Sequence, residues 1–318
     1  MAGESGPWSL VSYSSVVQQI HHRINHWYLQ NSRDLPWRRE GVGGWEVMVS
    51  EFMLQQTPVV RVLPVWEEWM RRWPRPQDLA AEPLSEALKA WGRLGYPRRA
   101  QRLHAAAVEI TTEYNGEVPR TEEALRALPG VGDYTAAAIA CFAFGEPTVV
   151  VDTNIRRVHA RLFGGMALPE PSPRASEFAR AKDVQPADRA AANLWNVSVM
   201  ELGALVCTAR SPKCDACPVF EQCAWIAAGQ PAPHYTPKGQ AWKGTDRQVR
   251  GAIMAVLREH DHPVPQDSFL SDLGRQSHAT YVALEKLQSE SSQRERALAG
   301  LLKDGLAVLE DDGVRLPS

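Results

Sequence analysis

Apolar side chains recur along most of this chain at the three-to-four-residue spacing of helices. Over 14–29 (SSVVQQIHHRINHWYL), Val16, Val17, Ile20, Ile24, Trp27 and Tyr28 fall on one face. Segments 45–56, 62–73, 84–91, 98–114, 121–128 and 133–144 are predicted helical too, each bounded by Pro or Gly. Thr148-Val149-Val150-Val151 is strand-like but too isolated to build a sheet. No internal repeat is visible. The stretch 226–245 (IAAGQPAPHYTPKGQAWKGT) is rich in Pro and Gly and reads as a linker. Beyond it, helices are expected at 247–259 and 292–304. Two apolar runs between 306 and 316 flank Asp311-Asp312-Gly313, a hairpin signal. Two or three helices followed by a hairpin suggest a small winged-helix module.

The 318 residues are 44% apolar and 23% charged, which excludes collagen-like, mucin-like and wholly disordered chains. No apolar run reaches the roughly 20 residues of a membrane helix. The polar start, Met1 to Leu10, lacks a secretion signal, so a cytoplasmic protein with no membrane partner is expected. The net charge of −2 argues mildly against a nucleic-acid partner. A local basic face would suffice, however. Lys89, Arg93, Arg98, Arg99 and Arg102, with no acid between Glu86 and Glu109, could form one. The ordinary alternative is a solvated helix surface.

Four cysteines crowd into 17 residues as Cys207-x6-Cys214-x2-Cys217-x5-Cys223. In a cytoplasmic chain such a cluster reads as metal ligands before disulfides. A single C-x2-C knuckle suits an iron–sulfur cubane better than a zinc ribbon, though zinc and free thiols stay open. Cys141 stands alone and reads as a small buried hydrophobe. Leu128-Pro129-Gly130-Val131-Gly132 separates two predicted helices. Gly130 and Gly132 can take φ > 0 and leave backbone N–H groups bare, a site for a DNA phosphate. Read without context, it is a plain helix–helix turn.

Two carboxylates stand out. Glu51 sits in an almost wholly apolar helix, with Val47, Met48 and Leu54 as its neighbours at helical spacing. Desolvation there raises a carboxyl pKa and keeps a proton at hand. Asp152 follows Val149-Val150-Val151 and caps a predicted helix, where backbone N–H groups would lower its pKa. An acid beside an anion can break an N-glycosidic bond. The bland readings are a Glu that escapes to solvent and a purely structural cap.

These residues carry a resemblance. Ser50-Glu51-Phe52-Met53-Leu54-Gln55-Gln56-Thr57, Leu128-Pro129-Gly130-Val131-Gly132 with Thr135-Ala136, Val151-Asp152-Thr153-Asn154 and the cysteine spacing resemble the signatures of MutY-type adenine DNA glycosylases. These belong to the helix-hairpin-helix iron–sulfur superfamily that includes endonuclease III. The similarity runs from about Leu35 to Cys223. It implies that Glu51 protonates adenine N7 and that Asp152 stabilises the sugar C1′, with Tyr134 and Asn154 bonded to these groups. It implies a 4Fe–4S cluster on Cys207, Cys214, Cys217 and Cys223. Trp37 and Arg38 (in Leu35-Pro36-Trp37-Arg38) match the base pocket. Gln55 and Gln56 match the wedge run, Thr57 the place beside an oxidised guanine, and Leu94 and Tyr96 contacts to the opposite strand. Tyr134 stands where bifunctional relatives carry Lys, which implies excision without strand cleavage. The chain departs from the pattern at Arg93, Pro97, Thr153 and Val197, and no MutT-like C-terminal domain is apparent.

The expected fold is all-α, with two helical subdomains, a helix-hairpin-helix motif, an iron–sulfur loop and a small C-terminal module of winged-helix type. One subdomain is expected from 1–33 with 148–225 and the other from 34–147, followed by the linker and the module at 246–318. The expected activity is removal of adenine opposite 8-oxoguanine or guanine by a monomer acting on double-stranded DNA near the nucleoid. Alternatives are a thymine or uracil mismatch glycosylase and a catalytically silent iron–sulfur DNA-binding module.

Overall fold

The computed structural model describes residues 10–237, 239, 241–270, 289–310 and 313–318. The chain divides into two compact units. The first comprises Met1–Gly43, Arg120–Glu123 and Gly132–Lys238, and the second Gly44–Pro119, Ala124–Val131 and Gly239–Ser318. Helices dominate both. Among the described residues no helix is long and apolar enough to cross a membrane.

The first unit is built on α1 (Leu10–Asn31), α8 (Asp133–Phe144), α9 (Thr153–Leu162), α10 (Ala175–Asp183), α11 (Arg189–Leu205) and the short α12 (Ala224–Ala227). Ile20 and Ile24 of α1 share one core with Ile155, Val158 and Leu162 of α9 and Trp195, Val199 and Leu202 of α11. Removing each such side chain from water stabilises the fold by roughly 1.5–3 kcal/mol. Ala137, Ala138 and Cys141 of α8 join this core. Seven consecutive residues of α8, Thr135 to Cys141, are buried, and most are small, which lets neighbouring backbones come close. The division therefore falls between Val131 and Gly132 and between Gly43 and Gly44, whereas the sequence grouping kept 34–147 together. The strand-like run at 148–151 forms no strand and leads into α9.

The second unit holds α2 (Gly44–Leu54), α3 (Val59–Arg72), α4 (Pro76–Ala80), α5 (Leu84–Trp91) and α6 (Arg98–Glu113). Its core is aromatic. Trp69 meets Trp73 and Trp91 edge-on, at centroid distances of 4.9 and 5.6 Å. The buried indole of Trp45 donates to the Trp73 carbonyl at 3.0 Å, so the polar edge is satisfied as burial requires. Helix α7 (Glu122–Ala127) leads into the turn before α8.

Residues 246–318 belong to this second unit. Helices α13 (Asp246–Arg258), α14 (Asp267–Leu270) and α15 (Ser291–Lys303) precede strands β1 (Val308–Glu310) and β2 (Gly313–Arg315). The strands pair antiparallel, Leu309 opposite Val314, and Val264 exchanges two backbone bonds of 2.8 Å with Val314. Val249, Ile253, Met254 and Leu257 of α13 and Leu298 and Leu301 of α15 are buried. The part of the tail reading that falls on 271–288 lies outside the described residues.

Candidate functional site

Glu51 is buried, 6% exposed, in α2. Every residue of α2 from Trp45 to Met53 except Glu46 is buried. No turn of that helix offers its side chain an easy way to water, so the solvent-escape reading fails. Gln55, Gln56 and Thr57 follow where α2 ends. Gln56 is exposed with φ 55°, the left-handed region that a long side chain rarely adopts. Tyr96, 40% exposed, stands at φ 47°.

One side chain holds both of these turns. The buried guanidinium of Arg99 donates from Nη1 to the carbonyls of Phe52, Met53 and Gln55 at 2.9, 3.0 and 2.6 Å. Its Nη2 donates to Thr57 Oγ1 and to the Gly95 carbonyl, each at 3.0 Å. The last carbonyls of a helix have no partner within it, and Arg99 supplies one. Burial pushes its own pKa down to about 10. The Thr57 hydroxyl is buried in this tie and donates to the Leu94 carbonyl at 3.3 Å. Leu94 is buried as well.

This overturns part of the basic-face reading. Arg99 faces inward. Lys89 is paired with Glu86 and Asp261 at 2.9 and 2.7 Å, and Arg98 lies 3.6 Å from Asp304. Arg93 and Arg102 remain on the surface. Gly130 takes φ 80°, and a Cβ there would meet Arg102 Cβ at 2.6 Å. Gly132 does not use the left-handed region. It caps α8 at φ −99° with open space around it, leaving the helix N-terminus uncovered, as an anion site needs.

Asp152 lies in the other unit, at the N-cap of α9. It accepts from the Ile155 N–H at 2.6 Å and from Asn154 Nδ2 at 2.9 Å. The N-cap reading predicted a lowered pKa. Here burial is the larger effect and pushes the carboxyl up, against the bonds from Ile155 and Asn154 and the charge of Arg157. Asn154 is fixed in turn. Arg157 Nη2 donates to Asn154 Oδ1 at 2.7 Å and to the Gly203 carbonyl at 2.6 Å, and its Nε donates to the Cys207 carbonyl at 2.7 Å. A Cβ on Gly203 would stand 2.7 Å from Asn154 Cβ, so only glycine allows this approach. Tyr134, on the first turn of α8, is half-buried. Trp37 is buried in the 3-10 turn Pro36–Arg38. Arg38 Nη1 reaches Glu201 Oε2 at 2.8 Å, and Arg33 Nε reaches Glu201 Oε1 at 2.7 Å. Burial alone would raise the Glu201 pKa, but the two arginines hold it at about 2. Arg38 is thus spent on a buried ion pair.

The sulfurs of Cys207, Cys214, Cys217 and Cys223 line one cavity, walled by Val206, Phe220, Trp225 and Ile226. Arg161 Nη1 stands 3.3 Å from Cys207 Sγ and donates to the Thr208 carbonyl at 2.7 Å. Burial, with added repulsion from neighbouring thiolates, raises the pKa of Cys214 and Cys223, and pushes that of Cys217 up to about 12. Among the described residues no three such donors gather as one metal ion would require. Sulfurs spread around an apolar cavity suit a multi-iron group, each binding a separate corner.

Sequence reasoning missed Arg157, Arg161 and Glu201 and misread Arg99. The signal was present in α9, where Arg156, Arg157, His159 and Arg161 interleave with core residues at helical spacing.

Residues 49–186 match the HhH-GPD superfamily of base excision DNA repair proteins, and residues 207–223 the iron-sulfur binding domain of endonuclease III. The chain is similar to the adenine DNA glycosylase of Mycolicibacterium smegmatis, 47% identical over 288 residues, with 90% of this chain and 92% of that protein covered. The adenine DNA glycosylase of Mycobacterium tuberculosis is 46% identical over 289 residues, with 90% of each covered. The solved structure of a thermostable thymine-DNA glycosylase superposes with a TM-score of 0.61 at 28% identity, covering 68% of this chain and 99% of that one.

Proposed function

The chain belongs to the helix-hairpin-helix base excision DNA repair glycosylases, in the adenine DNA glycosylase family, and on that premise we propose that it hydrolyses the N-glycosidic bond of adenine paired with 8-oxoguanine or guanine, without cutting the strand. The observation that carries this reading is the burial of Glu51 in an apolar helix that runs directly into the Gln55–Thr57 turn.

Adenine within a duplex must first leave the stack. In this reading Gln56 fills the gap it leaves and exposed Tyr96 meets the opposite strand, with buried Thr57 and Leu94 bracing the two turns from behind. Trp37 and Arg38 border the base pocket, and Gly130 and Gly132 present backbone N–H groups to a phosphate. The Glu51 carboxyl gives its proton to adenine N7. The bond from C1′ to N9 breaks and its electron pair leaves with the base. Asp152 stabilises the cationic sugar, and Asn154 and Tyr134 hold the two acidic groups in place. Water then adds to C1′ and its proton passes back to the Glu51 carboxylate, which restores the acid. The four cysteines would hold a 4Fe–4S cluster that shapes the loop carrying Arg210 and Lys213. Residues 246–318 are read as a winged-helix module, on the hairpin and the helices before it.

Purified full-length protein should release adenine from duplexes with A opposite 8-oxoguanine or guanine, and leave T opposite G intact. Release of thymine instead would transfer the chain to the mismatch-thymine reading. Strand breaks before any alkali treatment would remove the monofunctional assignment made from Tyr134.

A further inference from the structure

The tail is fastened to the helices that lead into and out of the Tyr96 turn. Arg258 Nε donates to the Leu88 carbonyl at 2.9 Å, and Lys89 Nζ pairs with Asp261 at 2.7 Å. Gln101 Nε2 donates to the Asp304 and Gly305 carbonyls at 3.2 Å each. At the other end of α13, Arg247 Nη1 donates to the Tyr96 hydroxyl at 2.8 Å. The same guanidinium lies 5.7 Å from the Tyr96 ring and 5.2 Å from the Trp242 ring. Its Nη2 donates to the Ala241 carbonyl at 2.8 Å. The turn carrying Trp242 is itself closed by Thr245 Oγ1 on the Trp242 carbonyl and by the Gly244 N–H on Gln248 Oε1, both at 2.8 Å.

Trp242 is nevertheless 53% exposed. A large indole held at the surface by a built turn, next to a cation, offers a stacking face. Lys243 follows it and is exposed. On the Tyr96 side, exposed Arg61 donates to the Arg93 carbonyl, and Arg93 is exposed too. Acids are not lacking: Asp246 adjoins Arg247, but it lies 3.6 Å from Arg296 and accepts from Gln293. Trp242 and Lys243 of the tail and Arg61 and Arg93 beside the Tyr96 turn are exposed, and half-buried Arg247 joins the two groups through the Tyr96 hydroxyl. Phosphates suit the cations, and an unstacked base suits the indole.

We infer that Trp242, Lys243 and Arg247 of the tail form a DNA-contacting surface that extends the Tyr96 turn and grips the strand opposite the excised adenine. This rests on the reading of Tyr96 given above. Arg247 acts as a positioning residue for Tyr96 as well as a phosphate contact.

The test uses the full-length chain with Trp242→Ala, Arg247→Ala and Arg247→Lys. The probe is a duplex with a tetrahydrofuran abasic analogue opposite 8-oxoguanine, followed by strand-resolved hydroxyl-radical footprinting and salt titration. Trp242→Ala should weaken binding about tenfold, the scale of one lost stacking contact. Arg247→Ala should lower the salt slope by about one, and Arg247→Lys should restore the slope but not the full affinity. Protection should shrink on the strand opposite the abasic site. Unchanged affinity and slope would overturn the inference. So would loss of protection on the other strand alone, or weakened binding that follows only a lower thermal midpoint. Should the unaltered protein release no adenine, the catalytic reading fails while these binding measurements still judge the surface.

Discussion

In α2 the buried run around Glu51 is Trp45, Val47, Met48, Val49, Ser50, Phe52 and Met53, while in α9 the buried run behind Asp152 contains Arg156, Arg157, His159 and Arg161. One helix is apolar along most of its buried length, and its arginine tie comes at the end, where Arg99 takes the last carbonyls. The other surrounds its carboxyl with donors and spreads charge along every turn. Burial raises the Asp152 pKa even so, and the donors oppose that rise. Burial and charge thus act as separate controls on a buried carboxyl. Burial favours the protonated form of a carboxyl, and hydrogen bonds from donors favour its anion.

The largest effects should come from the carboxyls themselves. Glu51→Gln keeps the shape and removes the transferable proton, so single-turnover adenine release should fall by about 10³–10⁴-fold with duplex affinity nearly unchanged. Asp152→Asn keeps an acceptor for the Ile155 N–H but loses the charge, and should cost about 10²–10³-fold. Equal loss of binding in either variant would break the comparison, because it would make that carboxyl a structural or docking group.

Next come the two arginine ties. Arg99→Met leaves the carbonyls of Phe52, Met53, Gln55 and Gly95 without their donor, and should destabilise the fold by roughly 3 kcal/mol or more. Arg157→Met strips the donor from the Gly203 and Cys207 carbonyls and frees Asn154, with a loss of roughly 2 kcal/mol. Their activities should separate. The first should raise the duplex concentration needed for half-maximal rate, since it loosens the Gln56 and Tyr96 turns. The second should lower the maximal single-turnover rate, since it loosens Asn154 against Asp152. The same kinetic defect in both would mean that the ties serve stability alone.

Much of this was legible in the chain because its carriers are local. Helix periods, the Gly130 turn, the cysteine spacing and the neighbours of Glu51 are all set by residues within a few positions of one another. Arg99 was not legible. Its charge and its place in a basic run suggest a surface, and only the carbonyls at the end of α2, 44 to 47 residues away, turn it inward. Asp152 was half legible: capping can be read from Asp152 and Ile155, but the burial that outweighs it comes from the tertiary fold. Grouping α8 with 34–147 overlooked that Ala137, Ala138 and Cys141 complete a core begun by Ile20 and Ile24. Nothing in the tail's pattern pointed to a bond between Arg247 and Tyr96, since the two lie 151 positions apart.

The weakest effect is a pH dependence that separates α9 from α2. His159 of α9 is buried, its Nε2 has no hydrogen-bond partner among the described residues, and burial first, then Arg180, lowers its pKa to about 3. The unfolded chain therefore takes up a proton near pH 6.5 that the folded one refuses. Stability from this group is complete above that pH and is lost as pH falls toward 3, by up to about 1.4 kcal/mol per unit. Glu201 is lowered to about 2, so its contribution is lost only between about pH 4.5 and 2. Asp152 works in the opposite sense, because a raised folded pKa means the folded state gains protons first as pH falls. It offsets part of the loss once its own range is reached. His21, lowered by burial, adds to the loss. Between pH 7 and 5.5 the first unit should thus lose about 1 kcal/mol while α2, free of buried histidine, keeps its protection. Hydrogen exchange at the two pH values, corrected for intrinsic rate, reads this directly from amides of α9 and α2. In His159→Asn the loss in α9 should largely vanish, leaving the share due to His21; equal loss in both helices would show that acid acts on the chain as a whole and not through the charged lining of α9.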